Sequence, residues 1–225
     1  MVPGYEEVLK RFKAERIRYH FTQKEVSFKI DMTQSHFSKA ESGEKHFTYE
    51  QVKKLNQLGY DIHYIYTDKR VKSLRYQEIS ESINPSQYYF LGRLFYVILE
   101  EVSNCYETEK YKKIHDKSAI MRYILNNEQK NIWRLLRDYL DNTQVEMAHT
   151  FNFDIKKYVC LEKEKIHPDS ESIFLLYKHF YIPPQIVLGD NRGILSAICE
   201  IMDELNEEDR TKVIKFIKIE QQMFG

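Results

Sequence analysis

Glycine and proline are scarce in this chain, seven and five among 225 residues. Strict alternation of apolar and polar residues is also missing over any useful length, so strands have little support and helices are expected. Three cysteines, Cys105, Cys160 and Cys199, are odd in number, widely spaced and form no CxxC pair. That excludes a disulfide frame and a zinc ribbon, and it suits reduced thiols in a cytoplasm. No stretch approaches the roughly 18 apolar residues of a membrane span. The start, Met1-Val2-Pro3-Gly4-Tyr5-Glu6-Glu7, has neither a basic nor an apolar targeting region, so no signal peptide is expected. A Gly-rich phosphate loop, GxSxG and HExxH are all absent, and the eight histidines show no HxxxH on one helix face. No enzyme, no cofactor and no metal site is expected.

Net charge is lacking too, with 34 basic residues against 34 acidic ones. A general nucleic-acid glue would be basic throughout, whereas a neutral chain that binds a duplex must concentrate its cations locally. Residues 1–70 carry 13 Lys and Arg against 10 Asp and Glu, and residues 191–225 carry 5 against 7. The asymmetry permits nucleic-acid binding without requiring it.

What is present is helical patterning. Asn84-Pro85-Ser86-Gln87 reads as a helix start, followed by one apolar face at Leu91, Leu94, Phe95, Ile98, Leu99 and Val102. Asn206 caps Glu207-Glu208-Asp209, and Val213, Ile214 and Ile217 form the next apolar face. Near the start, Thr22 with Glu25 makes a capping box. Val26 and Ile30 face inward, Ser27 is small where two helices approach, and Asp31 stands at a left-handed turn. Met32 plugs the core, Thr33 caps the next helix, Phe37 and Ala40 point inward, and Gly43 ends that helix. Thr48-Tyr49-Glu50-Gln51 opens another, with Val52 and Leu55 inside.

These residues, from about Leu9 to Asp68, resemble the helix–turn–helix domain of the Cro/phage-repressor (Xre) family. Its pattern appears as Thr22-Gln23, Ser27, Asp31-Met32-Thr33, Phe37-Ser38, Glu41, Gly43 and Tyr60 to Tyr66, with Asp31 in place of Gly and Phe37 in place of Ile. The resemblance implies a five-helix domain whose third helix enters the major groove of double-stranded DNA. Gln34, Ser35, Ser38 and Lys39 would lie on base edges, and Gln23 and Thr33 on phosphates. The chemistry agrees, since Gln pairs with adenine in bidentate fashion and Lys favours guanine O6 or N7. His36 faces outward on the same helix, either as a DNA contact or as an ordinary surface histidine.

Much of the pattern recurs. A shift of 121 residues, from Thr22 to Thr143, leaves nine of 47 pairs identical: Thr143, Gln144, Glu146, Glu162, His167, Glu171, Leu176, Tyr181 and Ile186. Met147, Phe151, Phe153, Tyr158, Leu161 and Ile173 repeat the apolar positions. Ala148 supplies the small contact, Asn152 the turn and Asp154 the cap, while Glu164 stands where the first copy has Gly43. Ile155, Lys156, Lys157 and Val159 replace Gln34, Ser35, His36 and Ser38. With Gln144 they form either a second DNA surface, with Ile155 on a thymine methyl and the lysines on phosphates, or a protein interface.

The expected architecture is all-α. A helix–turn–helix domain over 1–68 and a second, divergent one over 131–190 are joined by a helical connector over 69–130. A C-terminal helical hairpin over 191–225 serves either as a dimerisation element, as the resemblance implies, or packs on its own second domain. Tyr88-Tyr89-Phe90 with Phe95 and Tyr96 reads as core or dimer interface ahead of a single-strand stacking platform. The expected function is a cytoplasmic, sequence-specific double-stranded-DNA-binding transcriptional regulator, a repressor, alone or as a homodimer. A protein-interaction adaptor or antirepressor that keeps the fold without strong DNA binding is the contrasting reading. No effector is specified.

Overall fold

A computed structural model describes residues 4–70, 88–127 and 131–224, leaving out the side chains of Leu91 and of 217–224. Among these residues there are helices and no strand, so the fold is all-α as the composition and patterning require. The helices are α1 (Tyr5–Arg18), α2 (Gln23–Lys29), α3 (Gln34–Ser42), α4 (Tyr49–Gln57), α5 (Ile62–Thr67), α6 (Tyr88–Asn104) and α7 (Glu109–Asn126). Then follow α8 (Ile132–Tyr139), α9 (Gln144–Thr150), α10 (Ile155–Glu162), α11 (Ser170–Phe180), α12 (Pro184–Val187), α13 (Arg192–Glu204) and α14 (Glu207–Phe224). None of the described helices is long and apolar enough to cross a membrane.

The 121-residue shift lays α2 on α9 end for end, and α3, α4 and α5 on α10, α11 and α12 to within a few residues. The backbone repeats more closely than the side chains do. Left-handed residues pair at the same offset: His20 (φ 57°) with Asp141 (φ 51°), Asp31 (φ 55°) with Asn152 (φ 54°), Gly43 (φ 86°) with Glu164 (φ 55°), and Asp68 (φ 63°) with Gly189 (φ 72°). Glu164 thus keeps the exit geometry that a glycine supplies in the first copy, against the steric cost a Cβ incurs there.

The chain's compact units do not follow its two copies. Contacts group Met1–Arg70 with Glu164–Gly189 in one unit, and Val71–Lys163 with Asp190–Gly225 in another. The expected domain over 131–190 is therefore divided: α8, α9 and α10 lie in the second unit, whereas α11 and α12 pack on α1 and α5 in the first. The physical reason lies in α11. Ile173, Phe174, Leu175 and Leu176, four consecutive residues that point to successive sides of the helix, are all buried, so this middle stretch is enclosed rather than laid on one face, while Lys178 and His179 in the last turn stay exposed. Ile173, Phe174 and Leu188 complete a first-unit core that holds Tyr5, Val8, Phe12, Val26, Ile30, Phe37, Phe47, Val52, Leu55, Ile62 and Ile65.

In the second unit α6 packs against α7, α13 and α14, so the C-terminal hairpin rests on the connector helix. Phe95 and Leu99 are buried as their spacing requires, and Leu94, Ile98 and Val102 are half-buried. The helix start expected at Asn84–Gln87 lies outside the described residues, as do the side chains of Leu91 and Ile217. Asn206 caps α14, its Oδ1 accepting from the Asp209 N–H at 2.8 Å. Tyr111 anchors this start to α7: its hydroxyl donates to Asp209 Oδ2 at 2.7 Å and accepts from Asn206 Nδ2 at 2.8 Å. Burial, joined by the bond to the Asp209 carboxylate, pushes the Tyr111 hydroxyl up to about 12.

Candidate nucleic-acid interface

The α2–turn–α3 segment is set by its caps. The Glu25 N–H donates to Thr22 Oγ1 at 3.2 Å while Glu25 Oε2 accepts from the Thr22 N–H at 2.7 Å, closing the capping box. The hydrogen bonds from the Thr22 backbone and hydroxyl hold the Glu25 carboxyl below the usual carboxylate range. Asp31 turns the chain in its left-handed conformation, the Met32 N–H returns to the Ser27 carbonyl at 2.8 Å, and Lys54 pairs with the Asp31 carboxylate. Thr33 then caps α3, its Oγ1 accepting from the His36 N–H at 3.2 Å. Each such cap stabilises its helix by about 1 kcal/mol.

With Phe37 and Ala40 buried beneath, α3 presents Gln34, Ser35, His36, Ser38 and Lys39 to solvent, and Thr33 is exposed at its start. Among the described residues none of those five side chains has a polar partner within the chain. The helix is therefore an outward row of amide, hydroxyl, imidazole and ammonium groups on a rigid, capped element.

Gln23 behaves otherwise. Its Nε2 donates to Glu41 Oε2 at 2.8 Å, and Glu41 Oε1 accepts from Arg16 Nε at 2.8 Å. Arg16 also donates to the Phe21 carbonyl at 2.9 Å, and the Glu41 carboxylate fixes its guanidinium in the charged form. A cation on α1, a carboxylate on α3 and an amide on α2 thus lock the three helices together.

The second copy rebuilds this arrangement. Thr143 and Glu146 close the same box, with the Glu146 N–H donating at 3.2 Å and the Thr143 N–H at 2.7 Å. The Phe153 N–H returns to the Ala148 carbonyl at 2.8 Å, and Asp154 Oδ1 accepts from the Lys156 N–H at 2.8 Å. Gln144 Nε2 donates to Glu162 Oε2 at 3.0 Å, and Arg137 donates to Glu162 Oε1 through Nε at 3.1 Å. The side-chain Nε2 of Gln23, expected beside phosphate, and that of Gln144, expected on a second DNA surface, are thus each engaged by a glutamate of their own copy.

On α10, Ile155 is 38 % exposed, Lys156 is exposed, and Lys157 is half-buried with its Nζ 4.3 Å from the Phe153 ring centroid. Val145, at the position of Lys24, is 67 % exposed on α9. The outward surfaces of the two copies therefore differ on their third helices, polar and cationic on α3 and partly apolar on α10, while α2 and α9 each expose one large apolar side chain, Phe28 and Val145.

Two features escape the sequence patterns. The Arg16–Glu41–Gln23 lock joins residues 25 and 18 apart in sequence, although extending the 121-residue comparison upstream pairs Arg16 with Arg137 and so contains a signal for it. Phe28, 84 % exposed on α2, interrupts no visible periodicity. Among the described residues no group of three His, Cys, Asp or Glu is placed to hold a metal ion. Comparison with known proteins finds no family model, no curated protein and no solved structure that matches this chain.

Proposed function

We propose that this chain is a cytoplasmic, sequence-specific double-stranded-DNA-binding transcriptional regulator of the Xre type, acting as a repressor, with α3 as its principal reading helix. The observation that carries this reading is the exposed row Gln34, Ser35, His36, Ser38 and Lys39 on a doubly capped helix whose opposite face is locked into the core. Such a row offers donors and acceptors to base edges at no cost in internal bonds, and Gln and Lys are suited to adenine and guanine. The +3 balance over residues 1–70 gives a cationic excess to the part of the chain that carries α3. On this reading the exposed Thr33 at the start of α3 contacts a backbone phosphate.

The test is fluorescence anisotropy on the DNA flanking its own gene, at two salt concentrations, with excess random duplex. Binding that survives competitor and weakens with salt supports a specific regulator, because phosphate neutralisation gives the salt dependence and base contacts give the selectivity. Gln34→Ala with Lys39→Ala is expected to cost about 1–3 kcal/mol for each of the two base-reading side chains removed. Unchanged affinity in that double variant removes α3 from the reading role.

A second reading is favoured by the exposed Val145 and Ile155 and by the zero net charge: a protein-interaction adaptor or antirepressor that keeps the fold without strong DNA binding. Absence of DNA binding even at low salt would select it.

A further inference from the structure

Within the first unit, the loop that leaves α3, residues 43–48, is tied to α3 on one side and to α11 on the other. The Lys45 N–H returns to the Lys39 carbonyl at 3.1 Å. Phe47, fully buried, meets Phe37 of α3 edge-on, ring centroids 5.6 Å apart, and packs on Phe12 of α1 at 5.0 Å. Its carbonyl accepts from the Ser170 N–H at 2.8 Å. Ser170 is the first residue of α11 and is itself fully buried. The first N–H groups of a helix find no partner within it. Asp169 Oδ1 accepts from that of Ser172 at 2.8 Å, and the loop accepts from that of Ser170. Around this bond, His46 Nε2 lies 3.5 Å from Glu171 Oε2, and the Tyr49 ring stacks on His167 with centroids 4.9 Å apart. Tyr5 shares a hydrogen bond with the Ser170 hydroxyl.

Phe37 is the side chain that α3 buries between the outward His36 and Ser38, so its ring sets how the helix is rotated and how far it stands from the core. Close-packed interiors pass a displacement on rather than absorb it. We propose that α11 is the brace of α3: Ser170 fixes the Phe47 carbonyl, Phe47 fixes Phe37, and Phe37 fixes the setting of Gln34, Ser35, Ser38 and Lys39. Ser170 and Phe47 are thus positioning residues for base reading. A helix that the repeat assigns to the second copy sets the selectivity of the first. This inference rests on the DNA-reading function proposed above and deepens it. Base contacts need their side chains held to within about 0.5 Å, whereas phosphate contacts carry no sequence information. The brace therefore bears on selectivity and leaves non-specific affinity alone. It belongs to the first copy, because Pro168 stands at the counterpart of Phe47 and supplies no aromatic ring there.

Three variants of the full chain test this. Ser170→Pro removes the donating N–H yet suits the first position of a helix, and Asp169 before it is already extended. Ser170→Ala keeps the N–H and removes only the hydroxyl. Phe47→Leu keeps the bond and removes the ring. Hydrogen exchange without DNA is expected to run about tenfold faster at the α3 amides, residues 37–42, in Ser170→Pro, equivalent to about 1.4 kcal/mol, with the α2 amides at the parent rate. No acceleration in α3, or equal acceleration in both helices, overturns the brace. On DNA, Ser170→Pro is expected to lose about tenfold in affinity for a duplex that the parent selects from a random library, and nothing for random duplex. Equal losses on both would mean less folded protein and overturn the positioning role. Phe47→Leu is expected to reproduce the loss of selectivity, and parent selectivity in it overturns the path through Phe37. Ser170→Ala is expected to match the parent. A loss equal to that of Ser170→Pro would trace the effect to the Tyr5 bond and overturn the role of the Phe47 carbonyl. A parent that selects no duplex instead defeats the DNA-reading function, while the exchange rates still decide the brace.

Discussion

Arg16 grips the Glu41 carboxylate from 2.8 Å, and Arg137 grips Glu162 from 3.0 Å at the same place in the second copy. The Glu41 side chain is 5 % exposed and the Glu162 side chain 7 %, while Arg16 is better shielded than Arg137, at 12 % against 24 %. Removing one partner of a buried pair strands the other charge, which costs about 3–5 kcal/mol. Glu41→Ala is therefore expected to destabilise the first unit by about 3 kcal/mol, and Glu162→Ala to cost the second unit less, because water reaches Arg137. Urea unfolding followed by a probe in each unit checks this. Equal midpoint shifts for the two variants would refute the ranking, and a negligible shift for Glu41→Ala would show that the lock has no stabilising role.

The lock also marks where sequence reasoning ends. Caps, turns and periodic faces are local, and Thr22, Asp31, Thr33, Val26, Phe37 and Ala40 all stand in the structure as their spacing requires. So do their counterparts Thr143, Asn152, Asp154, Met147 and Tyr158. Arg16 and Glu41 are separated by a whole helix and two turns, and no local pattern says that they meet. The placement of α11 was hidden for a different reason. Its run of Ile173, Phe174, Leu175 and Leu176 announces burial on every side but carries no information about which core receives it. At the candidate interface, exposure of Gln34, Ser35, His36, Ser38 and Lys39 could be read from the buried positions between them. The engagement of Gln23 by Glu41 could not.

Glu164 holds a left-handed conformation, φ 55°, at the position where the first copy uses Gly43. A Cβ there crowds the following carbonyl, at a cost of roughly 1–2 kcal/mol, part of which glycine returns to the unfolded chain as entropy. Glu164→Gly is expected to raise stability by about 0.5–1 kcal/mol, and Gly43→Ala to lower it by about 1 kcal/mol. Thermal melts of the two variants provide the check. A lower melting temperature for Glu164→Gly would mean that the glutamate side chain contributes more than its backbone strain costs.

Carboxylates held below their ordinary range make the fold acid-sensitive. Hydrogen bonds from the Thr22 and Thr143 backbones lower Glu25 and Glu146. Glu15 is pushed up by burial, but its bonds from Arg70, the Asp61 N–H and Arg18 outweigh that and leave it lowered too. A carboxyl that ionises more readily folded than unfolded contributes stability above its unfolded value, about 4.5 for glutamate, and loses it as pH falls through the folded one. The melting temperature is expected to hold between pH 7 and about 5 and to drop below that. Replacing Glu25 and Glu146 by Gln should lower the plateau and flatten the drop. A double variant with the same acid slope as the parent would rule out the capping boxes as its source.

In the second unit, Gly92 on α6 lies where that helix approaches its neighbours closely. A Cβ built there would lie 2.7 Å from Ile194 Cγ2 on α13 and 3.0 Å from Leu125 Cδ1 on α7. The Leu125 methyl ends a rotatable side chain and has somewhere to go. Ile194 Cγ2 sits directly on its own Cβ, so moving it means moving the helix or leaving the preferred rotamer. Overpacking of this kind costs about 1–3 kcal/mol, against a helix-propensity gain from Gly to Ala of about 1 kcal/mol. Gly92→Ala is thus expected to be destabilising by about 1 kcal/mol in spite of the better helix former. The double variant Gly92→Ala with Ile194→Ala separates the two effects: removing Cγ2 leaves only the propensity gain, so the glycine substitution should become neutral or stabilising in that background. If Gly92→Ala costs the same with and without Ile194, the contact between α6 and α13 is not what requires glycine at this position.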